Sequence, residues 1–236
     1  MGKVIMTGGA PKMKGLVEKI KAGTLAVGSS VFLNENGHPA EYLVVNQGKP
    51  STMYADSCDG TWLLRKDIFT IYKWDSQNNC YKDSDIHAYL NNIFLDVFDA
   101  NTQDTIKQVK IPSAQTSASG AIATGENGLS AKVFLLGCAE AGYGASVENY
   151  MQVDGVCLEY FKSADDAKRI TYLNGNAVDW WTRTATTLNG QNAYYFYANG
   201  GVSNGAYSTL HCVRPALIVP SDAVFDKNTM LLVGAG

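Results

Sequence analysis

The groups able to do covalent or metal chemistry are few and scattered. They amount to three histidines (His38, His87, His211) and five cysteines (Cys58, Cys80, Cys138, Cys157, Cys212). No Cys-x-x-Cys pair occurs, and no histidine has a Cys, Asp or Glu at a metal-ligand spacing. No Ser/His/Asp arrangement for nucleophilic catalysis can be traced. The neighbouring carboxylates Asp165–Asp166 and Asp96 with Asp99 fall on expected helix surfaces or ends, where solvation or the helix dipole accounts for them. An odd number of cysteines at irregular spacing reads as free thiols rather than a disulfide framework. The chain is therefore expected to carry no catalytic residues, no metal and no cofactor.

The chemistry that does stand out is recognition. Between Arg183 and Arg214 lie thirty residues without one Asp, Glu, Lys or Arg, in a chain that is 17% charged. The stretch is too polar for a core and too aromatic for a linker. Tyrosine offers contact area at low entropic cost, and small polar residues offer adaptable hydrogen bonds, as in antibody combining sites. The candidate ligand-binding residues are Asn189, Gln191, Asn192, Tyr194, Tyr195, Tyr197, Asn199, Ser203, Asn204, Tyr207, Ser208 and His211. Trp180, Trp181, Arg183 and Arg214 are the expected scaffold at its boundaries. Adjacent tryptophans on a strand face opposite ways, so at most one lines a site, and core packing is the expected role of both. Each arginine is expected to pair with a carboxylate or to cap carbonyls, with Asp179 and Glu140 as candidate partners.

The elements that must position this segment are short. Strand-like runs occur at Val31–Leu33, Glu41–Asn46, Trp62–Lys66 and Ile68–Trp74, punctuated by Asn34-Glu-Asn-Gly37 and Asp59-Gly60. Ile86, Tyr89, Leu90, Ile93, Phe94, Val97 and Phe98 form one apolar face at helical spacing, with Ser84 as N-cap, predicting a helix over about 84–98. A shorter helix is predicted over about 163–171, acidic early and basic late. Residues 113–130 read as a long polar loop, Val133–Leu136 as a buried strand, and Pro215–Val219 and Met230–Val233 as closing strands. The expected fold class is α+β: one domain with many short antiparallel strands, those two helices and extensive loops. Its expected bounds are residues 28–220, with an N-terminal arm at 1–27 and a C-terminal strand and tail at 221–236. A net charge of −3 with no basic block makes nucleic acid a poor partner. No apolar run approaches the roughly 18 residues that would insert in a membrane. The N-terminus does not read as a secretory signal, which implies synthesis in the bacterial cytoplasm without a signal peptide.

Five landmarks occur in order: Leu64-Arg-Lys-Asp67; Ser84-Asp-Ile-His-Ala-Tyr-Leu-Asn-Asn-Ile-Phe94; Val133-Phe-Leu-Leu136 with Glu140 beyond; Trp180-Trp-Thr-Arg-Thr184; and Val213-Arg-Pro-Ala-Leu217. Over roughly residues 25–220 the chain resembles a bacterial and prophage domain family of unknown function (DUF6273-like), members of which sit among phage tail genes. Its ending also resembles the C-type-lectin-like fold of phage tropism determinants and of formylglycine-generating-enzyme relatives. That resemblance implies a C-type-lectin-like domain whose bracketed segment, diversified by a retroelement, contacts a host-cell surface receptor, protein or glycan. It implies further virion or tail proteins as partners, a homo-oligomer such as a trimer, and placement on a phage tail or otherwise outside the cell. The alternatives are a purely structural virion or surface protein and a formylglycine-type oxidase. The oxidase would need a second cysteine close to Cys212, and none is near in sequence.

Overall fold

The computed structural model describes residues 18–144, 150–163 and 165–236. The segment Ser30–Glu35 runs straight into His38–Gln47 through Asn36-Gly37, whose φ values of 51° and 82° are those of a two-residue hairpin turn. Thr61–Arg65, Ala216–Val219 and Val133–Phe134 continue that sheet outward from His38–Gln47, every pairing antiparallel. A second five-stranded sheet has the order Val202–Ala206, Asn192–Phe196, Trp180–Ala185, Leu210–Val213, Thr70–Lys73. It is antiparallel except where Trp180 lies beside Cys212. Lys19–Lys21, Val224–Asp226 and Leu232–Gly234 form a third sheet.

The central strands of both large sheets are buried on both faces. In Thr61–Arg65, Leu63 enters one apolar cluster while Trp62 and Leu64 enter the other. Alternation sends Trp181 and Ala193 into the first cluster and Trp180, Tyr194 and Phe196 into the second. All four tryptophans are fully buried, and each indole N–H has an acceptor: Cys58 O for Trp62, Thr182 O for Trp74, Arg169 O for Trp180 and Tyr72 O for Trp181. Burying the ring while pairing its N–H avoids the desolvation cost of an orphaned donor.

The helix predicted near residue 84 is present. Ser84 Oγ accepts from His87 N, and Asp85–Tyr89 continues through Leu90–Phe94 and Leu95–Val97. Its middle turn is widened to a π-type turn. Asn91 Nδ2 reaches back to His87 O and across to Val133 O, while Asn92 Nδ2 takes Ala88 O. Burial then follows Ile86, Leu90, Phe94 and Phe98, and Ile93, expected on the apolar face, is 60% exposed. The wider turn rotates it out.

The α+β, C-type-lectin-like expectation is overturned. The protein is mostly β, 38% strand against 16% helical, in several small antiparallel sheets with no closed barrel. The helix predicted over 163–171 is replaced, among the described residues, by the single turns Glu159–Phe161 and Asp166–Arg169. Asp165 caps the second turn by accepting from Ala167 N, but Ile170 is already extended and Arg169 turns inward to bond Gly200 O and Ala141 O. The supposed loop 113–130 holds the short strand pair Ser113–Ala114 with Ile122–Ala123, and its end, at Leu129–Ala131, pairs with Val109–Ile111. Among the described residues no helix is long and apolar enough to cross a membrane.

Candidate ligand-binding site

Arg183 is the pivot of the second sheet. Its guanidinium makes a two-pronged ion pair with Glu140, Nη1 to Oε2 at 2.5 Å and Nη2 to Oε1 at 2.7 Å, with both side chains at 0% exposure. It also donates to Leu135 O, Pro112 O and Asp154 O. Tyr54 Oη and Gly137 N donate to Glu140, and Thr184 Oγ1 donates to Asp154 Oδ1 at 2.8 Å. Every N–H of the Arg183 guanidinium and both Glu140 oxygens have hydrogen-bond partners, the condition under which a buried charge pair is tolerated, while Asp154 Oδ2 lies 3.4 Å from Arg183 Nε. Of the partners expected for the arginines, Glu140 is the one Arg183 takes. Arg214 caps a carbonyl instead: Nε donates to Arg65 O at 2.9 Å and the guanidinium lies 5.1 Å from the Trp180 ring. Its Nη1 is buried without a hydrogen-bond partner, and burial lowers its pKa to about 10. Asp179 serves neither arginine and accepts from Ala198 N at 2.8 Å.

Two carboxylates share one guanidinium, and Asp154 bears the cost. Burial first, and then the proximity of Glu140, raise its carboxyl to about 6 despite Arg183. A carboxyl raised in the folded state contributes stability below its ordinary range near 3.8, and that contribution is lost as pH rises through about 6. Asp154→Asn removes the ionisation. Its urea midpoint relative to the wild type is therefore expected to improve between pH 5 and pH 7.5, and an unchanged difference would sink this reading.

Asn79 holds the turn that opens the hairpin. It is fully buried, and Nδ2 bonds the main-chain oxygens of Thr186, Asn189 and Asn192 at 3.0, 2.9 and 2.8 Å. Its Oδ1 accepts from Ser117 Oγ and Ala118 N. Sequence reasoning missed Asn79, Asp154 and Tyr54, since no local pattern marks a polar residue that will be buried against a distant loop.

The uncharged run becomes the end of the Trp180–Ala185 strand, a hairpin of Asn192–Phe196 with Val202–Ala206, and the strand Leu210–Val213. Several of its asparagines are occupied by turn chemistry. Asn189 Oδ1 accepts from Gln191 N and Asn192 N, and Asn199 Oδ1 accepts from Gly201 N. Asn192 Nδ2 donates to Asn204 Oδ1 across the hairpin at 2.9 Å. Tyr194 is 1% exposed, so its ring packs in the core and not against a partner. Gln191, Tyr207 and Ser208 lie beyond the Asn192–Ala206 pair with Asn189, Tyr207 half-buried and Gln191 and Ser208 exposed. Asn192 and Asn204 share the face of Tyr194, opposite the face of Tyr195 and Ser203.

On that second face the structure gathers Tyr195, Tyr197, Ser203 and His211. Tyr195 stacks on the His211 ring at 4.1 Å and 23°, and the Tyr197 ring meets it edge-on at 5.3 Å. Buried Trp181 supports both, at 4.5 Å from His211 and 5.7 Å from Tyr195. The Ser203 hydroxyl foremost, and then the Tyr195 phenol, hold the exposed Tyr197 phenol below its usual range, while burial foremost raises that of Tyr195. His211 belongs to the strand Leu210–Val213. Its side chain is 15% exposed beside Asp179 at 32%, and desolvation lowers its pKa against the pull of that carboxylate. The turn that carries Tyr197 requires Gly200, at φ +84°, because an added Cβ would stand 2.1 Å from Asp166 O.

Burial raises all five thiols above their ordinary range. Burial pushes the thiols of Cys58 and Cys212 up to about 11 and that of Cys138 up to about 12, far from thiolate chemistry at neutral pH. Among the described residues no group of three or more His, Cys, Asp and Glu is placed to hold a metal ion.

No curated protein and no solved structure matches the chain. A family model described as "Domain of unknown function (DUF6273)" matches residues 59–221, which span both large sheets apart from the Ser30–Gln47 hairpin, together with the inner Arg183–Glu140 pair and the aromatic face. The chain belongs to the DUF6273 family.

Proposed function

We propose that this domain is a non-enzymatic recognition module, carried on a phage or prophage tail, that contacts a host-cell surface receptor. The observation carrying the reading is the cluster of Tyr195, Tyr197, Ser203 and His211, part-exposed on a sheet whose interior is fixed by Arg183–Glu140 and the paired tryptophans. Rigid support with adaptable polar and aromatic side chains is the combination that binding surfaces use, because little entropy is lost on association. Exchange of outward side chains along the hairpin by a diversifying retroelement is part of this proposal. A single patch of this size binds weakly, and display of several copies as a homo-oligomer on a virion supplies avidity.

The purified protein, labelled and multimerised, is expected to adhere to cells of the encoding strain or its near relatives. Tyr197→Ala, at a position 41% exposed, should reduce that adhesion with no change in melting temperature. Adhesion that is indifferent to Tyr197 and to Ser203 alike would remove the proposal.

A further inference from the structure

We infer that the ligand of the Tyr195–Tyr197–His211 face is a neutral saccharide. This rests on the reading of that face as a recognition site, and it adds the chemical class of what is recognised.

The first ground is charge. The strands that build the face contribute no Asp, Glu, Lys or Arg from Thr184 to Val213; the carboxylate bordering it is Asp179, 4.0 Å from the imidazole of His211, whose pKa burial lowers, favouring its uncharged form. Arg169 reaches the Tyr197 turn at Gly200 O, but its side chain is buried and paired with Asp166. A phosphorylated or acidic ligand would find a carboxylate and no counter-charge, an unfavourable encounter at close range. A basic ligand would find one part-exposed carboxylate, already bonded to Ala198 N. Complementarity therefore favours a partner without net charge.

The second ground is the mixture of surface types within a few ångströms. Tyr197 offers an exposed ring braced by Tyr195, with hydroxyl oxygens of both tyrosines and Ser203 at its edge. An aliphatic or aromatic protein anchor seeks a dry pocket with its polar neighbours absent or satisfied elsewhere. A sugar ring presents what this surface complements: a C–H face for the tyrosine ring, and hydroxyls for the phenols, Ser203 and the carboxylate oxygens of Asp179. Tyr195 stacked on His211, with Trp181 edge-on to the His211 ring, keeps the ring positions fixed before binding.

The test has two arms. On a printed array holding neutral hexose and N-acetylhexosamine oligosaccharides beside sialylated and phosphorylated ones, the wild type should be retained on neutral glycans. Tyr197→Ala should lower retention about tenfold or more, a change equal to roughly 1.4 kcal/mol. Tyr197→Phe should fall between the two, because it keeps the ring and loses the phenol bonds. Tyr172→Ala, an exposed aromatic on a separate hairpin, should change nothing. In the second arm, cells of the encoding strain and its relatives are treated with periodate or with protease. Binding lost to periodate and kept after protease supports the inference. Binding lost to protease and kept after periodate, or retention only on anionic glycans, overturns it while the recognition reading stands. Binding to neither cells nor array overturns both.

Discussion

Arg183→Met is expected to lower the stability of the fold by about 3–5 kcal/mol, the usual cost of removing one partner from a buried, fully bonded ion pair. A protein of ordinary stability has only about 5–15 kcal/mol in total, so the variant should stand near unfolding at neutral pH. The reason lies in what stays behind. Glu140 and Asp154, at 0% and 2% side-chain exposure, would keep their charges with no cation between them. Acidification should then restore part of the loss, since buried carboxylates without a counter-charge take up protons readily. The double variant Arg183→Met with Glu140→Gln should be less damaged than the sum of its singles, because the two changes remove one interaction. Urea melts followed by the fluorescence of the buried tryptophans would read this directly. A loss below 1 kcal/mol, or damage that grows on acidification, would show that the pair does not matter as the geometry implies.

Trp181→Ala is expected to cost about 3–5 kcal/mol as well, for a different reason: a large cavity under the sheet. For a chain of this size each kcal/mol moves the melting temperature by about 2–4 °C. The site should suffer with the fold. Tyr195 and His211 rest on the Trp181 ring, so both lose their floor when it is removed. Tyr197→Ala, by contrast, should weaken binding without lowering the melting temperature. Calorimetry and a binding assay on the same pair of variants would separate them. A Trp181→Ala protein that melts like the wild type would contradict the packing described above.

The strands were legible where local chemistry dictated them. Asn36-Gly37 specifies its hairpin, and the run Thr61–Arg65 is apolar on both sides because both sides are covered. The helix start at Ser84 followed from apolar spacing and a capping hydroxyl, whereas the π turn depends on Asn91 reaching Val133, a contact 42 positions away. Weighing one strong helical period against many short strands led to α+β, and the count of residues in each falls on the β side. Composition singled out this hairpin but did not separate Tyr194, which is buried, from Tyr195. Strand alternation says that the two point apart and not which one meets solvent. Glu140 was foreseeable as the partner of Arg183. Asn79 was not, since it meets Thr186 across 107 positions through main-chain atoms that carry no residue-type signal.

That last contact separates the shape of the loop from its spelling. Asn79 grips the peptide oxygens of Thr186, Asn189 and Asn192, which every amino acid possesses. Side chains at Thr187, Leu188 and Gln191 can be exchanged without loosening the grip, while a one-residue deletion would bring the wrong carbonyls to it. The hairpin is in this sense tolerant of substitution and intolerant of length change. Related chains that vary here should do so at constant spacing between Thr186 and Asn192.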